Sequence, residues 1–261
     1  MPITSSDIKI YAGDSGIPEN SGDPCGGAMS TATRLIFGDA ALANAPAASG
    51  GDGTFSCNST NNADNGVTVT VYGRNPAGSL INEAETLGNS GVAVDGASVF
   101  ERIMKVTAEA HNYDIEIKDS AGNEILTMES GVTTVIRPFY NISSDVSSAK
   151  TYYSKCFVYN NHGSLSLLSA YVNESADPLN KLTFALGSAF DDSEVVANRT
   201  TAPTGTGAGG FSSASKTLLA NAGSADLGAG TGIACWLKLD LDAGDSPQKS
   251  TYTLSINGET I

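Results

Sequence analysis

Positive charge is what this chain has least of: 14 Lys and Arg stand against 28 Asp and Glu, a formal net charge of −14 over 261 residues. A surface that acidic repels phosphate backbones and anionic lipid, which excludes nucleic acid and membrane surfaces as expected partners. Long hydrophobic runs are missing too; no stretch approaches the roughly 20 apolar residues that span a bilayer. The opening residues carry neither a basic region nor the apolar core of a secretion signal, so the chain is expected to be cytosolic when made. Cysteine is sparse. Cys25, Cys57, Cys156 and Cys235 are spread singly, which predicts free thiols rather than a disulfide framework. If a bridge forms, Cys156 and Cys235 are the pair to test, facing each other across a sandwich.

Catalytic parts are equally scarce. The two histidines, His111 and His162, lie far apart and each beside asparagine, so neither a zinc site nor a nucleophile-base pair is expected. His162 precedes Gly163 and reads as a turn residue. No G-x-S-x-G elbow occurs, and Gly205-Thr206-Gly207-Ala208-Gly209-Gly210 is followed by no Lys-Ser/Thr, so it is a loop rather than a phosphate cradle. Two acidic clusters, Asp191/Asp192/Glu194 and Asp240/Asp242/Asp245, lack the ligand spacing of a calcium loop and read as solvated acidic loops. No catalytic residue, cofactor or metal is assigned, and the chain is read as a non-enzyme.

What is present is alternation. Val67-Thr68-Val69-Thr70-Val71 and Tyr113-Asp114-Ile115-Glu116-Ile117-Lys118 place apolar residues on one face at period two. The same period runs through Leu182, Phe184 and Leu186, through Cys235, Leu237, Leu239 and Leu241, and through Tyr252, Leu254 and Ile256. Turn residues at Asn75-Pro76-Ala77-Gly78 and at Asp119-Ser120-Ala121-Gly122-Asn123 predict hairpins. Residues 99–110 also satisfy a helical spacing, but their alternation and β-rich neighbours favour strand. Helix should be scarce.

The expected fold is all-β: two antiparallel β-sandwich domains, the C-terminal one immunoglobulin-like, with an extended N-terminal arm. The arm takes residues 1–29, the first sandwich 30–135 and the second 136–261, the break falling near 131–148 where Arg137-Pro138 precedes a Ser-rich stretch. Strands of the second sandwich are expected near 151–160, 164–173, 181–187, 216–220, 232–241 and 250–257. Two long segments, 39–65 and 188–215, read as loops that are either mobile or laid on a neighbouring subunit. The arm, with Ile8-Lys9-Ile10-Tyr11 as its apolar part, is suited to adding a strand to another chain. Trp236 alternates out of the Cys235/Leu237 set and is either covered by a loop or buried in an interface. Interface candidates are therefore Ile8, Ile10, Tyr11, Phe211 and Trp236.

Residues 3–11, the turn 72–78 and the run Phe100-Glu101-Arg102-Ile103-Met104-Lys105-Val106 resemble the β-domains of tailed-bacteriophage virion proteins. The run 153–162 and Leu227-Gly228-Ala229-Gly230 followed by Cys235-Trp236-Leu237 are similar to a strand pair of phage structural proteins. The resemblance implies a virion component assembled in the host cytoplasm, a decoration or cement protein of the capsid. Its partners would be the major capsid protein and copies of itself. A neck, tail or baseplate part is the alternative, ahead of a carbohydrate-binding adhesive module.

Overall fold

The computed structural model describes residues 2–15, 22–35, 53–89, 91–139, 142, 144–245 and 252–260. Strands make up 49% and helix 5%, so the chain is all-β. In chain order the strands begin with β1 (Ile8–Gly13), β2 (Cys25–Gly26), β3 (Met29–Leu35), β4 (Phe55–Ser59), β5 (Thr68–Arg74) and β6 (Leu80–Thr86). They continue with β7 (Val94–Asp95), β8 (Arg102–Ala108), β9 (Ile115–Asp119), β10 (Glu124–Met128), β11 (Thr134–Ile136) and β12 (Lys150–Asn160). The last are β13 (Leu168–Ala176), β14 (Leu182–Phe190), β15 (Val195–Val196), β16 (Lys216–Thr217), β17 (Gly232–Leu241) and β18 (Thr253–Glu259). A helical turn, α1 (Leu218–Ala222), follows β16.

The chain divides into a central unit, Thr31–Arg137, and a terminal unit made of Met1–Ser30 with Pro138–Ile261. In the central unit β3, β11, β8, β5 and β6 are hydrogen-bonded in that order, and β10, β9, β4 and β7 form a second sheet. One apolar core joins the two sheets: Val69, Val71 and Val106 come from one, Phe55, Cys57, Ile115 and Ile117 from the other. The hairpins at 75–78 and 119–123 form as expected, with β5 paired to β6 and β9 to β10. Residues 102–108 are strand, where the helical spacing competed. The pairing of β11 with β3 departs from the antiparallel expectation, since the two run parallel.

In the terminal unit β14, β17, β12 and β1 are hydrogen-bonded in that order, β16, β13 and β18 form a second sheet, and β15 pairs with β2. The expected free arm is corrected here. Ile8 to Ala12 pair antiparallel with Asn160 to Cys156 of the same chain, because the long β12 offers β1 a backbone ladder at no cost of association. The long loops also differ from expectation. Within 39–65, residues 39–52 lie outside the described residues, but Phe55–Ser59 is strand β4 with Phe55 and Cys57 buried; small polar neighbours mask its alternation. Segment 188–215 is laid on its own chain, with Gly187 bridged to Thr206 and Phe184 to Ser212. The strand expected over 216–220 stops at Thr217, whose hydroxyl accepts from Ala220 N (3.3 Å), while Gly223 closes the turn in the left-handed region.

Candidate functional site

Alternation along β12 sets Tyr153, Lys155 and Phe157 on one face, in register with Lys238, Trp236 and Ala234 of β17. Over that face lie β2 and β15. Trp236 is fully buried in a cluster with Cys25, Tyr153 and Val196, and Phe211 packs against it. Phe211 also stacks on Tyr153 at 5.5 Å between ring centroids. Gly26 makes the closeness possible: a Cβ there would collide with the Glu194 carbonyl oxygen and lie 3.0 Å from the Trp236 ring, and its φ is +110°.

Lys155 is the centre of the arrangement. Its Nζ donates to Gly27 O (3.0 Å), Asp192 O (2.9 Å) and Glu194 O (3.1 Å), with the Asp192 carboxylate at 3.1 Å. Phe157 and Trp236 flank it, their ring centroids 5.0 and 5.3 Å from Nζ. Burial pulls the ammonium pKa down, against the lift from Asp192 and Glu194. Three carbonyl acceptors match the three protons of an ammonium, so Lys155 is a cationic peg that fastens β2 and residues 192–196 to the sheet. Sequence reasoning passed it over, although its in-phase position between Tyr153 and Phe157 is a usable signal.

The interface candidates separate. Trp236 is internal, which corrects its reading as a subunit contact, and Phe211 is half-buried against it. Tyr11 is buried and meets Tyr159 edge-on at 5.7 Å. Ile8 and Ile10 are half-buried on β1, opposite Asn160 and Val158. The apolar side chains that do face solvent include Leu80, Val92, Val99, Tyr113, Val195 and Leu219, none of which the alternation distinguishes from core.

The acidic clusters are partly solvated, Asp191 and Asp242 being exposed, and their members also bond to the fold. Asp191 accepts from Gly232 N (3.1 Å), Asp192 pairs with Lys155, and Glu194 accepts from Thr204 N (2.6 Å) and Gly205 N (3.0 Å). Asp240 accepts from the Thr151 hydroxyl (2.6 Å), while Asp242 and Asp245 both pair with Lys181. Asp64 in the central unit is buried and accepts from Ser59 Oγ (2.7 Å), Asn112 N (2.9 Å) and Tyr113 N (3.2 Å). Burial raises its pKa, but those donors prevail and hold it below the ordinary value. His111 lies between the carbonyl oxygens of Glu109 (3.0 Å) and Glu129 (3.2 Å), and His162 Nδ1 accepts from Ser164 N and Leu165 N in a turn.

All four thiols are free and buried. Cys156 and Cys235 are direct neighbours on adjacent strands of one sheet, not partners across two. The hydrogen bond to Cys235, then burial, drives the Cys156 pKa up, and burial pushes Cys57 up to about 12, so these two thiols are poor nucleophiles. Among the described residues, no group of three His, Cys, Asp or Glu is placed to hold a metal ion. Comparison with family models, with curated proteins and with solved structures finds no match.

Proposed function

We propose that this chain is a bacteriophage virion structural protein, a decoration or cement subunit that binds the capsid shell and stabilises it through contacts with the major capsid protein and with its own copies. The observation that carries the reading is where the phage-like segments lie. Residues 8–11 belong to β1, 102–106 to β8, 153–160 to β12 and 235–237 to β17, so the segments of resemblance are the frame of both units. The finer architecture belongs to the same proposal: each unit is a β-sandwich, and the terminal one is immunoglobulin-like. The ionisable groups described above support it, because Lys155, Asp64, Asp191 and Glu194 are engaged in holding backbone. Such chemistry makes a rigid body. The end strand β6, which among the described residues pairs with β5 alone, and the exposed Leu80 at its start offer a contact surface. Cementing then follows mass action, since a protein that binds only the assembled lattice stabilises it by RT ln(1 + [L]/Kd) per site.

The test mixes the purified chain with particles that lack it, pellets them and quantifies what is bound. Saturable binding at a copy number comparable with the major capsid protein, and particles that survive more heating, are expected. No binding would overturn the reading, and a copy number far below that of the shell protein would move it to the neck, tail or baseplate.

A further inference from the structure

Arginine occurs only five times in the chain, at Arg34, Arg74, Arg102, Arg137 and Arg199, yet three of the five share one neighbourhood of the central unit. Gly73 brings two of them together. A Cβ at that position would collide with the Arg102 carbonyl oxygen, so glycine is what allows β8 to come this close. The register shifts there by one residue, and Arg74 stands directly opposite Arg102. Like charges directly opposite on one face are destabilising. The third cation is folded back onto the same strand: Arg137 N donates to Met104 O (3.0 Å) and its Nε to Ile103 O (2.9 Å).

What is missing around them, among the described residues, is a counter-charge. Arg34 has its carboxylate, Glu129 at 2.8 Å. Arg74 donates to a carbonyl, Gly78 O at 2.7 Å. Among the described residues no carboxylate pairs with Arg74, Arg102 or Arg137. Arg137 Nη2 is buried with no hydrogen-bond partner. Burial first, and the neighbouring Arg102 second, pull the Arg137 pKa down to about 10, and burial followed by Arg74 lowers Arg102. Among the described residues no acidic side chain is placed on this trio, although leaving a buried donor unpaired is costly.

We propose that Arg74, Arg102 and Arg137 form a binding site for a compact oxyanion of the phosphate type. The planar guanidinium fork matches two oxygens of such an ion at once, and a dianion cancels more of the clustered charge than a single carboxylate does. Binding also engages Arg137 Nη2. The ion ties the β5–β8 pair to the end of the central unit, so the site makes the unit's stability depend on its ligand.

The probe is inorganic phosphate, titrated into the full chain at constant ionic strength with sodium chloride as the balance, and read by thermal melting and by phosphorus NMR line width. Sulfate and acetate are the parallel arms. Phosphate at about ten times its dissociation constant is expected to raise the melting midpoint by about 3–6 °C, with sulfate following it and acetate weaker. Arg102→Gln should weaken binding at least tenfold, and Arg34→Gln should leave it unchanged. No shift beyond the chloride control, an equal response in Arg102→Gln, or tighter binding of acetate than of phosphate overturns the proposal. Should Arg102→Gln fail to fold, Arg74→Lys keeps the charge and removes the fork; line broadening equal to that of the unaltered chain then counts against the site.

Discussion

The central unit fills its hydrophobic core with Phe55, Val71, Phe100, Ile115, Ile117 and Met128, and the carboxylates it buries, Asp64 and Asp119, are held by local hydrogen bonds. The terminal unit sets an ammonium, Lys155, between two aromatic rings and hangs β2 and residues 192–196 on it. The difference follows from what each has to cover. Strands that share one apolar cluster fill it by alternation alone, and each buried methylene contributes about 0.8 kcal/mol. An irregular segment has no ladder along most of its length, and its carbonyls must find donors elsewhere. A cation with three protons answers three carbonyls at one point.

The largest expected effect removes that point. Lys155→Met keeps the bulk but strands three carbonyls and the Asp192 carboxylate, and is expected to cost about 3–5 kcal/mol. Urea unfolding followed by the fluorescence of Trp236 measures it; a loss under about 1 kcal/mol would erase the contrast between the two units.

Asp64→Asn comes next, at about 1–3 kcal/mol, because the carboxylate accepts from three donors that an amide oxygen serves less well. The pH dependence sharpens the point. Asp64 has its folded pKa below the ordinary 3.8, so the stability it contributes is present above the unfolded value and is lost as pH falls through the folded one. In Asp64→Asn that part of the acid-induced loss disappears. If the two chains lose stability equally between neutral pH and pH 3, the carboxylate is not acting as an anion.

The smallest effect belongs to the uniform core. Ile117→Val deletes one methylene from a well-filled site and is expected to cost about 0.5–1.5 kcal/mol. Hydrogen exchange along β4, β5, β8 and β9 reads it locally, and a loss matching that of Lys155→Met would show that the aliphatic core is no more tolerant than the ionic one.

Alternation in the sequence was enough to find β5, β9, β14, β17 and β18, because a half-buried strand writes its two faces into successive residues. The two hairpins were legible for a similar reason, their turn residues being local. β4 was not, since Ser56, Asn58 and Ser59 flank Phe55 and Cys57 with small polar side chains that the fold covers. Nor was the end of β16, where a threonine cap and a left-handed glycine converted an expected strand into a helical turn. Of the interface candidates, Trp236 shows the limit most clearly: periodicity gave its face, but burial under Cys25, Val196 and Phe211 depends on residues that arrive from far along the chain.

The all-β class, its scarce helix and its acidic character were thus determined by the sequence itself, through local period and composition. Tertiary structure alone decided that residues 8–13 complete a sheet of their own chain, that segment 188–215 lies on its own unit, and that Lys155 meets three carbonyls while Arg74 faces Arg102. The physical reason is one of range. A strand's face is fixed by its nearest neighbours, whereas the partner of a buried charge or of a strand edge is set by register between segments that lie tens of residues apart.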